Sequence, residues 1–180
     1  MVAAIASLAI SNNPSRSPAG TVAVPAFYSM NAISNLLTQD TVVLTAQPAT
    51  KEALFEQAAA ALGQRLGMNS NTILDCLQMR EQLGSTGLGQ GVGIPHGRVK
   101  GLRQVAGMFY RLSKPVPFDA PDHRPVDLAF FLLVPEQSTE EHLQLLSELA
   151  QGFSDPEFRE SLRSSTDVAH ILNLFTQQNS

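Results

Sequence analysis

Residues 126–134 read Val-Asp-Leu-Ala-Phe-Phe-Leu-Leu-Val, an almost unbroken apolar run that Pro135 stops. A strand with one wet face alternates polar and apolar residues, whereas a run without alternation needs cover on both faces. This segment therefore predicts a central strand sandwiched between other layers. With 180 residues, 43% of them hydrophobic, the chain can bury one sizeable core, and its length argues for one domain rather than two.

The remaining elements fit around that strand. Residues 41–44 form a short β-branched strand, and Thr50 offers an N-cap to a helix with Leu54, Ala58, Ala61 and Leu62 on one face. Asn71 is expected to cap a second helix carrying Ile73, Leu74, Leu77 and Glu81 and stopping at Gly84. Residues 105–112 are strand-like, and residues 114–125, punctuated by prolines, read as a hairpin or loop. Ser138 and Glu141 have the spacing of a capping box before a helix to about Phe153. Asp155-Pro156 opens another helix, and Ser165 or Thr166 is expected to cap a last one with Val168, Ile171, Leu172 and Phe175. Strands early and central with a run of helices late predict an α/β fold, a three-layer α/β/α domain around a mixed sheet.

Charge and cysteine usage narrow the function. The net charge is −4, and the twelve Lys and Arg residues are spread too thinly for the basic stripe that nucleic-acid backbones require. A local cluster, Arg98, Lys100 and Arg103, lies beside His96, where it suits an acidic partner, a phosphate or plain solvent. The single cysteine, Cys76, has no internal disulfide partner and reads as a core thiol in a reducing cytosol. No run of eighteen apolar residues occurs, which predicts no membrane-spanning helix. Residues 1–10 are apolar without the preceding basic residue of an export signal, and residues 11–29 are rich in Ser, Asn, Pro and Gly. Residues 1–29 are thus set apart as an extension and Met30 is a candidate start, leaving residues 30–180 as the domain.

Chemistry concentrates between Leu83 and Arg98, which enclose six of the twelve glycines and end on Pro95-His96-Gly97. Such density suggests an anion cradled by backbone amides, with His96 as the reactive group. Gly87, Gly89, Gly91 and Gly93 recur at every second residue, so no dinucleotide fingerprint, nucleotide P-loop or serine-hydrolase elbow is present. His96, His123, His142 and His170 lie too far apart for a zinc motif, and no cofactor is implied. A neutral imidazole can still act as a nucleophile, and phosphoryl transfer needs little beyond positioning and donors around the phosphoryl oxygens. A lone histidine in a loop is equally an ordinary surface residue.

His142 shares a helix face with Leu145, Leu146, Leu149 and Phe153, as a hydrogen-bonded core residue or a functional one. Its first-turn position favours a neutral ring. Arg80 either complements its helix dipole or faces a phosphate at the loop entrance. His123 and His170 read as structural or solvent-facing.

The segment Arg80-Glu81-x-Leu83-Gly84-Ser85-Thr86-Gly87-Leu88-Gly89-x-Gly91-Val92-Gly93-Ile94-Pro95-His96-Gly97-Arg98 resembles the active-site segment of enzyme IIA of the phosphoenolpyruvate-dependent phosphotransferase system, fructose/mannitol superfamily. Phe118-Asp119-Ala120-Pro121-Asp122, Pro125-Val126-Asp127-Leu128 and Leu133-Val134-Pro135-Glu136 followed by Glu141-His142-Leu143 resemble its second signature. The resemblance runs from about Met30 to the C-terminus. Ile94-Pro95-His96-Gly97-Arg98 and Leu83-Gly84-Ser85-Thr86-Gly87 are similar to the nitrogen-regulatory branch. Asp122-His123-Arg124 departs from the family, which usually has glycine or another small residue after the aspartate.

The resemblance implies a cytosolic phosphocarrier whose His96 accepts a phosphoryl group at Nε2 from an HPr-like protein. It implies that His142 and Arg80 support the phosphorylated ring, that no metal or nucleotide takes part, and that phosphorylation state regulates protein partners. A sugar-transport enzyme IIA passing phosphate to a IIB component, and a non-catalytic binding module on the same fold, remain as alternatives. The central reading expects an uncharged ring at position 96, open to solvent, ringed by amide hydrogens and near residue 142.

Overall fold

The computed structural model describes residues 31–177. The expectations for residues 1–29 and for Met30 lie outside them. The elements are α1 (Asn31–Ser34), β1 (Val42–Ala46), α2 (Lys51–Leu66), α3 (Ser70–Gln82), β2 (Gly87–Gly89), β3 (Val92–Gly93), β4 (His96–Val99), β5 (Ala106–Val116), β6 (Val126–Pro135), α4 (Thr139–Ser154), α5 (Pro156–Ser164) and α6 (Val168–Gln177).

The apolar run is the sheet's hub. β6 pairs antiparallel with β5 on one side and parallel with β3 and then β4 on the other, β1 adds parallel to β5, and β2 adds antiparallel to β3. Successive side chains of β6 enter two separate cores. Ala129, Phe131 and Leu133 meet α2 and α3 through Phe55, Leu62, Ile73 and Leu77. Leu128, Phe130, Leu132 and Val134 meet the other layer through Leu145, Leu149, Phe158, Ile171 and Phe175. The sheet is mixed and lies between helical layers, the three-layer α/β/α arrangement that the run requires.

Four local readings need correction. Asn69, not Asn71, caps α3: its side chain accepts the Asn71 N–H at 2.8 Å. Ser138 occupies the N-cap of α4 but makes no side-chain capping bond. Asp167, rather than Ser165 or Thr166, caps α6 by accepting the His170 N–H at 2.8 Å. Residues 114–116 continue β5 past an irregularity, so Pro115 sits inside a strand, where the pairing Val116↔Val126 resumes after Arg111↔Leu128. Asp155 caps α5 as its sequence predicts, accepting from Glu157 N–H with Pro156 as the first helical residue.

The glycine-rich stretch is three short strands rather than an open loop. Gln90 and Gly91, with φ of 57° and 81°, make the tight hairpin between β2 and β3. Several amides that the expected anion cradle would need are spent within the chain: Thr86 N–H on Glu81, Gly87 N–H on Ser85 Oγ, Gln90 N–H on Asp122 and Ile94 N–H on the Thr86 carbonyl. Glycines in this stretch instead admit neighbours: a Cβ on Gly87 would meet Ala120 Cβ at 2.7 Å, and one on Gly97 would collide with Cys76 Sγ. Among the described residues no helix is long and apolar enough to cross a membrane.

Candidate active site

β4 pairs with β6 alone, which puts His96 on the sheet's margin. Alternation along β4 turns His96 and Arg98 toward α4 and sets Gly97 against Cys76 of α3. α4 begins just beyond β6 and presents His142 in its first turn. The two imidazoles meet edge to face, with ring centroids 5.2 Å apart and planes at 66°.

Each ring's tautomer follows from its partners. The Nδ1 of His96 lies 2.7 Å from the Ile94 carbonyl oxygen, which can only accept, so Nδ1 carries the hydrogen. Its Nε2 keeps a lone pair, and Arg80 Nε–H donates to it at 3.0 Å. Arg98 Nε–H donates to His142 Nδ1 at 3.3 Å. The neutral His142 ring therefore holds its hydrogen on Nε2, a buried atom with no hydrogen-bond partner.

Both rings are held uncharged. Burial lowers the His96 pKa and Arg80 lowers it further, against opposing effects of the Ile94 carbonyl and Glu81. His142 is depressed to about 4 by burial first, then by the charges of His96, Arg98 and Arg80. Loss of hydration, rather than the helix start to which the sequence points, is the leading cause.

A second network fixes Arg80. Its Nη1 donates to the Gly84 carbonyl at 2.9 Å. That turn is tied to α3 through Glu81, whose Oε2 accepts from Thr86 N–H at 3.0 Å and from Thr86 Oγ1–H at 2.6 Å. Lys51 closes the network with ion pairs of 3.2 Å to Glu81 and 3.1 Å to Asp119.

The structure brings His96, His142 and Arg80 together. It does not give His96 the expected open ring among amide hydrogens. The residue is only 8% exposed, and its two nitrogens face a carbonyl and a guanidinium, because strand pairing seats the ring under α4 and Arg80 closes over it. His123 and His170 join neither ring: His123 lies in an exposed turn whose N–H donates to Ala120, and His170 pairs with Ser165 Oγ at 3.0 Å. Cys76 is half-buried, donating to the Arg98 carbonyl, with its thiol pKa raised by burial.

The sequence reading missed Arg98 as a partner of His142. Its spacing of two from His96 was the available signal, once residues 96–99 are taken as strand rather than loop end. Among the described residues no group of three or more His, Cys, Asp or Glu is placed to hold a metal ion.

This chain is similar to two curated nitrogen regulatory proteins. That of Bradyrhizobium diazoefficiens is 33% identical over 142 residues, covering 79% of this chain and 93% of the relative. That of Pseudomonas aeruginosa is 39% identical over 137 residues, covering 76% and 89%. The crystal structure of the nitrogen regulatory protein IIA-Ntr from Neisseria meningitidis superposes with a TM-score of 0.78 at 45% identity, covering 81% of this chain and 99% of that one. Residues 35–178 match the family described as "Phosphoenolpyruvate-dependent sugar phosphotransferase system, EIIA 2", a stretch holding every strand among the described residues and both histidines of the site. By that match the chain belongs to the type 2 enzyme IIA family of this phosphotransferase system, and by its relatives to the nitrogen-regulatory branch.

Proposed function

We propose that the chain is a cytoplasmic phosphocarrier of the nitrogen-regulatory phosphotransferase system, taking a phosphoryl group on His96 Nε2 from the phosphohistidine of an HPr-like protein. The observation that carries this is the Nδ1–H tautomer of His96, whose unprotonated Nε2 accepts from Arg80 while the ring of His142, with its Nε2–H unpartnered, packs 5.2 Å away between centroids. In the transfer, the donor's P–N bond breaks and returns an electron pair to the donor imidazole, while a new P–N bond forms from the His96 lone pair. Arg80 then loses its acceptor and turns to the phosphoryl oxygens, where a guanidinium binds more strongly than on a neutral ring. His142 donates to another oxygen. These fixed donors offset charge in a transition state that asks for little else.

A protein donor suits the surroundings. Leu83, 85% exposed, stands by the Arg80 turn, and Leu143, also exposed, follows His142. A phosphohistidine adds roughly −1.5 to −2 charge, by analogy with other phosphorylated side chains, beside two arginines, enough to change which partners bind.

The test uses purified donor carrier, its upstream kinase and labelled phosphoenolpyruvate. The chain should acquire an acid-labile, base-stable label that His96→Ala abolishes, and phosphorylated and unphosphorylated forms should bind different cellular partners. Label retained in the variant defeats the assignment of His96. Passage of label from the chain to a IIB component would favour the sugar-transport alternative, and a folded protein that takes no label would leave a binding module.

A further inference from the structure

The two arginines serve different rings: Arg80 engages His96, and Arg98 engages His142. A guanidinium offers hydrogens and no lone pair, so the Arg98 bond exists only with an unprotonated His142 Nδ1. A neutral imidazole has one hydrogen to place, and Nε2 must then carry it. Nothing else among the described residues selects that tautomer, because His142 Nε2 has no partner of its own. Arg98 is exposed, and no carboxylate among the described residues lies at ion-pair distance from it, so the ring nitrogen is its polar side-chain contact.

We propose that Arg98 is a positioning residue that holds His142 as the Nε2–H tautomer, keeping a hydrogen-bond donor ready for the phosphoryl group on His96. The proposal rests on the phosphocarrier reading above and deepens it. If the hydrogen moved to Nδ1, Nε2 would face the phosphoryl oxygens with a lone pair and repel them. What decides between an attractive and a repulsive second histidine thus comes from outside that histidine's own helix, on the strand that bears the nucleophile. Arg98 acts through His142, two residues along β4 from His96 and on the same face.

The test labels the histidines of the full chain with 15N and reads two-bond 1H–15N correlations at neutral pH, which report the tautomer of each ring. The wild type should show His142 as Nε2–H and His96 as Nδ1–H. Arg98→Met, which keeps the stem and removes the donor, should leave His142 as a tautomer mixture with His96 unchanged, and slow phosphoryl uptake about tenfold, the effect of weakening one charge-assisted hydrogen bond. Arg98→Gln keeps an N–H donor without the charge and should restore both the tautomer and most of the rate. A pure Nε2–H form in Arg98→Met overturns the proposal, as does equal slowing by Met and Gln, which would assign Arg98 to charge alone. Should the wild type take no label, the phosphocarrier reading fails and the spectra alone decide whether Arg98 sets the tautomer.

Discussion

Arg80 Nε sits 3.0 Å from His96 Nε2 and occupies the very lone pair that a phosphoryl group would use. The resting site is thus closed by its own cation, which the Gly84 carbonyl holds in place. Removing the guanidinium frees the lone pair but also removes a charge that opposes protonation of the ring. Arg80→Met should raise the His96 pKa toward 6.5, although burial, the larger cause, still keeps it lower. It should also cut phosphoryl uptake by about tenfold to a hundredfold, because a transition-state donor is lost. Histidine NMR titration and the initial rate of labelling check the two halves. A raised pKa with undiminished uptake would confine Arg80 to masking the ring.

The His142 pKa sets an acid limit on stability. Its folded value of about 4 lies below the ordinary 6.5, so between these values the unfolded chain binds a proton that the folded one refuses. Stability from this group is therefore complete above about pH 6.5 and is lost as the pH falls toward 4. Urea midpoints measured across this range should decline toward acid in the wild type. The decline should be shallower in His142→Gln, which has no titrating ring, and equal slopes would contradict the assignment.

The fold was legible where a pattern had one physical solution. Residues 126–134 could be satisfied only by cover on both faces, and the sheet places alternate side chains of that run in two cores. Asp155-Pro156 likewise had one good use, as cap and first helical residue. The glycine stretch had two. Glycine serves an anion cradle and a tight approach of neighbours equally well, and only the tertiary partners, Ala120 for Gly87 and Cys76 for Gly97, decide between them. The burial of His96 and the contact of Arg98 with His142 were hidden for the same reason. Both follow from β4 pairing with β6, a contact between residues some thirty-six positions apart in the chain.

His123 occupies a backbone conformation better suited to glycine. Its φ is 57°, in the left-handed region that glycine enters freely and other residues enter at a cost of roughly 1 kcal/mol. The turn keeps its shape with a histidine in a glycine's conformation, anchored by Asp122, which accepts from Gln90 N–H at 2.7 Å and Arg124 N–H at 3.1 Å. His123→Gly should therefore stabilise the protein by at most about 0.6 kcal/mol, the strain relieved less the roughly 0.4–1 kcal/mol that a glycine's freedom in the unfolded chain costs, without altering uptake of label. Chemical denaturation reads the first and the labelling assay the second. A destabilised glycine variant would mean that the side chain holds the turn.

Gly97 and Cys76 form a tight junction between α3 and the strand that bears His96. A Cβ on residue 97 would collide with Cys76 Sγ, and that sulfur also donates to the Arg98 carbonyl at 3.1 Å, so it has little room to turn away. Gly97→Ala should destabilise by about 1–3 kcal/mol through overpacking. Cys76→Ala removes the obstructing atom along with some packing and should cost less. Because the two substitutions act on one gap, the double variant should be more stable than the sum of the singles predicts, with a coupling of about 1 kcal/mol or more. Denaturation of the four proteins supplies the cycle. Strict additivity would show that α3 and β4 part easily, and that His96 is positioned by its pairing with β6 rather than by the helix behind it.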